Sequence, residues 1–112
     1  MNECDVRNAV VSIQQAGASP PTDLDGMNRA LGDLDALLSE LGTYRRQLSV
    51  QCERLPATSD LEVGEPDGDV VPGFICNQVA IHVQAAAAGI DQARTAVSVA
   101  GLLCSRLRPR TH

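Results

Sequence analysis

The chain has 112 residues and a formal charge of −5, with 44% hydrophobic and 21% charged residues. That length holds one core rather than two, and the composition is that of a globular chain rather than a disordered one. The acidic balance argues against a general nucleic-acid binder, which needs a basic stripe, and Tyr44 and Phe74 are the only aromatics, so any core is built from Leu, Val, Ile and Ala.

The N-terminal "MNECDVRNAV" carries acids where a signal peptide has its basic region, so the expectation is a cytoplasmic protein, with signal-less export as the alternative. The first segment then has Val6, Val10, Val11 and Ile13 on a helical stripe. It ends at "AGASPPT", where glycine and paired prolines break the pattern.

From Leu24 the apolar spacing becomes regular: Leu24, Met27, Leu31, Leu34, Leu38, Leu41, Arg45, Leu48, Cys52 and Leu55 step by alternating three and four. This is a heptad seam and predicts a long helix over about 23–55. Thr22 with Asp25 reads as a capping box, and Pro56 marks the expected stop. The acidic stretch 56–73 then forms an interhelical loop, and Pro72-Gly73 closes it.

A second heptad series follows: Cys76, Val79, Val83, Ala86, Ile90, Ala93, Val97, Ala100, Cys104 and Leu107. It predicts a helix over about 74–107, with 109–112 as a flexible tail. Two helices of near-equal length joined by a short loop favour an antiparallel hairpin. The alanines of the second seam face the leucines of the first, small against large. Towards the end of this helix Val97, Val99, Leu102 and Leu103 point in different directions. One partner helix cannot cover them all, so the short first helix is expected to fold back on that end. The fold expected is all-α: a hairpin with a short N-terminal helix, a single three-helix-bundle domain over 1–112. If that helix leaves the patch open, a second chain is expected to cover it.

Cys52 and Cys76 each lie twelve residues from Gly64, at the loop end of the seam. They are a candidate disulfide, which would stabilise by roughly 3 kcal/mol; the alternative is two small buried hydrophobes. Cys4 and Cys104 match less well. Cys76 and His82 fall on different helix faces, and no paired Cys/His spacing occurs, so no metal site is expected. The acids Asp60, Glu62, Glu65, Asp67 and Asp69 do not fit a calcium loop, because "EPDGDVV" places its glycine too early. Phosphate-cradling and nucleophile-elbow motifs are absent. No catalytic residues, no cofactor, no small-molecule substrate and no membrane span are expected.

Arg45 interrupts the leucine seam, a place where polar residues set register or partner choice. With Tyr44 and Arg46 beside it, and with Val99, Leu102 and Leu103, it makes the candidate partner-contact set. The expected role is a non-enzymatic helical interaction or scaffold module that docks another helical protein or itself. A thiol redox or metal-binding protein is the third reading.

The hairpin plan over 24–107 and the entry "GFICNQV" into the second long helix resemble the helical-hairpin proteins associated with type VII secretion, the Trp-x-Gly family and its relatives. The resemblance implies a secreted hairpin effector or secretion partner, stabilised by disulfide. The chain departs from the family in having no tryptophan, and Tyr44 is followed four residues later by Leu48 rather than by an acid. No functional residue is carried over.

Overall fold

A computed structural model describes residues 3–64 and 70–110, with the side chains of residues 3, 4 and 58 excepted. It contains α1 (Glu3–Ala18), α2 (Leu24–Thr58) and α3 (Pro72–Cys104), with no strand among the described residues. α2 and α3 pack together as an antiparallel hairpin.

The helix ends follow local chemistry. Asp23, not Thr22, caps α2: its Oδ1 accepts the Gly26 N–H at 2.7 Å, and its carbonyl takes the Met27 N–H at 3.0 Å. A Cβ on Gly26 would lie 2.7 Å from that same Oδ1, so a side chain there displaces the cap. Asp23→Ala is therefore expected to lower the unfolding free energy by about 1 kcal/mol. Gly26→Ala should forfeit the gain that alanine normally brings to a helix. Urea melts of the two variants check both, and a stabilised Gly26→Ala protein would show that the cap is not formed.

α2 runs past Pro56 to Thr58 rather than stopping at Leu55. A proline removes its own bond back to residue i−4 and its ring crowds that carbonyl, but later residues can still donate. The Ser59 N–H does so, to the Leu55 carbonyl at 2.9 Å. α3 begins at Pro72, two residues before the expected start, because the first helical position needs no N–H donor. It ends at Cys104 rather than Leu107. The chain tightens there into i→i+3 bonds from Arg106 to the Leu103 carbonyl and from Leu107 to the Cys104 carbonyl. The Arg108 guanidinium donates to the carbonyls of Ser105 and Leu107.

The chain divides into two compact units. One is Leu37–Thr95, which holds the loop end of the hairpin. Here the contact stripe is rotated from the expected seam. Labelling the heptads with Leu38, Arg45 and Cys52 of α2 and Cys76, Val83 and Ile90 of α3 at position a, these a residues are half-buried as expected. Over most of the unit their inner companions are not the d residues but the small e residues Gly42, Ser49, Ala80 and Ala87; at the Thr95 end of α3 the stripe returns to d, with Ala93 half-buried and Arg94 exposed. Ala80 is 1% exposed and Ser49 4%, whereas Leu41, Leu48 and Leu55 remain 39 to 43% exposed. The e residues touch the partner helix directly: a Cβ on Gly42 would sit 3.9 Å from Ile90 Cγ2, and one on Gly73 would sit 4.0 Å from Pro56 Cγ. Small side chains at e let the backbones approach, and the bulky d leucines are displaced to the edge of that contact.

The other unit is Met1–Ala36 with Ala96–His112. α1 falls in it, at the open end of the hairpin as expected, but covers little. Val6 and Ala9 are half-buried, while Val10, Val11 and Ile13 stay about half exposed. Val99, Leu102 and Leu103 are also left open, Leu102 at 66%. Cys104 is the one buried apolar side chain described in this unit.

Candidate functional site

Within Leu37–Thr95 the rotated stripe sorts the remaining positions into two faces. With 3.5 residues per turn, the b and d positions lie about 77° to either side of an a/e contact centre. The b residues are Ser39, Arg46 and Glu53 on α2 and Asn77, Gln84 and Asp91 on α3, all polar and all exposed. Gln84 Nε2 donates to Glu53 Oε1 at 3.3 Å, so the b rows of both helices border the same side of the hairpin. The d rows therefore border the opposite side. They are Leu41, Leu48 and Leu55 on α2 with Val79, Ala86 and Ala93 on α3, without a polar residue among them. One side is polar and bridged by hydrogen bonding; the other is apolar.

The polar side carries a shallow groove of about 440 Å³ lined by Arg45, Arg46, Ser49, Val50, Gln84 and Ala87. Two of its lining residues each bury a side-chain atom without a hydrogen-bond partner, Arg45 Nε and Ser49 Oγ. Around this groove the three adjacent contact candidates diverge. Arg46 belongs to the polar side, Arg45 to the contact stripe, and half-buried Tyr44 to the edge of the apolar side. Val99, Leu102 and Leu103 lie in the other unit, each at least half exposed.

Cys52 and Cys76 share the contact stripe near the loop, half-buried, and both carry free thiols; no disulfide joins them. Cys104 is also free, and the Cys4 side chain lies outside the described residues. His82 is exposed and on a different face of α3 from Cys76. Among the described residues, no three His, Cys, Asp or Glu side chains gather as a metal-binding group. Glu65, Asp67 and Asp69 lie outside the described residues, as do the last two residues of the tail. A second groove, of about 270 Å³, lies beside the loop between Leu61–Gly64 and Pro72, Ile75 and Cys76.

Sequence reasoning took the d rows as the hairpin's internal seam and so missed the apolar face they form. The signal that locates it was present in the b rows, where each residue of both helices within Leu37–Thr95 is polar. α3 is also long and apolar enough to cross a membrane by length and composition, with only 6% of its most apolar window buried. No family model, curated protein or solved structure matches the chain.

Proposed function

We propose that the chain is a non-enzymatic helical interaction module, whose apolar surface is completed by docking against another helical surface. One observation carries this reading. Within each unit large apolar side chains stay open: Leu41 and Val79 are 43% and 44% exposed in one, and Leu103 and Leu102 55% and 66% in the other. Only Ala80, Cys104 and Ser49 are buried among the described residues. So little burial leaves the entropy of ordering a long helical chain poorly offset. A docking partner supplies the missing burial. Catalysis finds no comparable support, because it needs convergent polar groups in a water-excluding pocket. The grooves described are shallow and open.

Docking is favoured over membrane insertion by Asp91 and Arg94, which lie towards the middle of α3. Each charge costs about 3 kcal/mol at the centre of a spanning helix. The architectural likeness to type VII hairpins supports the same class of role and nothing finer.

The test is urea unfolding over a range of protein concentrations, with an environment-sensitive apolar dye present at the dilute end. The expected result is a midpoint that rises with concentration, or with an added helical partner, and dye binding on dilution. A steep melt with one midpoint at every concentration and no dye binding overturns the reading.

A further inference from the structure

We propose that the apolar side of Leu37–Thr95, formed by Leu41 and Leu48 on α2 with Val79, Ala86 and Ala93 on α3, docks a second copy of this chain. The inference rests on the interaction-module reading and names the partner and the surface. Residue size along the rows supports a second copy. The d row of α2 is a ridge of leucines, whereas the d row of α3 beside it carries Val79 at the loop end and then falls to a trough at the small Ala86 and half-buried Ala93. A two-fold rotation about an axis along the helices sets each copy's α2 over the other's α3. Both ridges then enter both troughs. An unrelated partner would have to carry a matching ridge and trough; a second copy has them by symmetry.

Charge and area agree with this arrangement. Glu40 is the one carboxylate at the c and g positions flanking these rows within Leu37–Thr95, so two copies of a chain with net charge −5 meet without acidic rows opposed. The helical stretches of this unit run for about 33–36 Å and together span about 20 Å, roughly 660 Å² in projection. That is near the ~800 Å² per partner of a standard interface. The opposite side does not compete for this role, because its b rows are polar and already joined by the Gln84–Glu53 bond.

Sedimentation velocity and light scattering on the full chain test the proposal, with Leu48→Arg and Ala86→Glu on the apolar side and Asp91→Arg on the polar side. The wild type is expected at twice its 11.8 kDa chain mass. Each apolar-side variant should weaken the dimer by at least about 100-fold while keeping its helical circular dichroism. Asp91→Arg should leave the dimer intact. A dimer that survives both Leu48→Arg and Ala86→Glu overturns the choice of surface. A wild-type monomer at every concentration overturns the second copy as partner. If that monomer still binds the apolar dye, the module reading stands; if it melts steeply without dye binding, both fall.

Discussion

Replacing Ala80 with leucine is expected to lower the unfolding free energy by about 2–3 kcal/mol, at the upper end of overpacking penalties. Ala80 is the most buried apolar residue described, at 1% exposure, and occupies an e position where the helices meet. The approach of the helices is set by residues with little or no side chain: Gly42 stands opposite Ile90, and Gly73 opposite Pro56. Three further carbons at Ala80 have no space between close-packed backbones, so the helices must separate or the side chain must leave its rotamer. Gly42 offers the contrast. A Cβ there would lie at an ordinary 3.9 Å from Ile90 Cγ2, so Gly42→Ala should gain up to about 1 kcal/mol from helix propensity. Urea melts read at one protein concentration compare the two. If Ala80→Leu melts with the wild type, the helices do not meet through their small residues.

The hairpin was legible because its signals are large and local. Proline and glycine delimit the segments, and the a residues Leu38, Cys52, Val83 and Ile90 recur on a helical period that survives folding. The side of the helix chosen by the contact was harder to read. Apolar spacing counts bulky residues, and Leu41 and Leu48 complete the heptad series as well as any residue could. What decides the contact is how closely two backbones approach, and that favours the residues an apolar count passes over: Gly42, Ser49, Ala80 and Ala87. The same rotation explains the stretch "GFICNQVAIH". Cys76 and Ala80 enter the contact stripe, while Val79 and His82 remain exposed.

Two further differences are matters of short-range geometry. Thr22 and Asp23 are both good capping residues, and only the backbone path shows that Asp23 receives the Gly26 N–H. Val6, Val10, Val11 and Ile13 form a convincing stripe, yet a stripe does not state how much of a neighbour it covers. Val10, Val11 and Ile13 stay about half exposed, and Leu102 and Leu103 more than half. The apolar face was readable only in combination. The d rows look the same whether they seal a hairpin or border it, and the wholly polar b rows on both helices settle the choice once Gln84 is seen to reach Glu53.

Removing the polar pair from the contact stripe should stabilise the hairpin. Ser49 is 4% exposed and its Oγ is buried without a hydrogen-bond partner, as is Arg45 Nε one helical turn earlier. A buried polar group left unpaired costs about 1–3 kcal/mol, which apolar replacement returns. Ser49→Ala is thus expected to add about 1 kcal/mol, and Arg45→Leu, which also restores the interrupted leucine row, about 1–3 kcal/mol. The two side chains line one groove a single turn apart, so the double variant should fall short of the sum, and a double-mutant cycle by urea unfolding measures the difference. The gain has a consequence for specificity. With a leucine in place of Arg45, between Leu38 and Cys52, the a row of the stripe would lack the charged position that penalises a slipped register or a wrong partner. The stabilised variant should therefore sediment as a broader distribution of species than the wild type. A loss of stability in Arg45→Leu would instead show that the guanidinium finds a partner in solution, and that Arg45 holds the hairpin together.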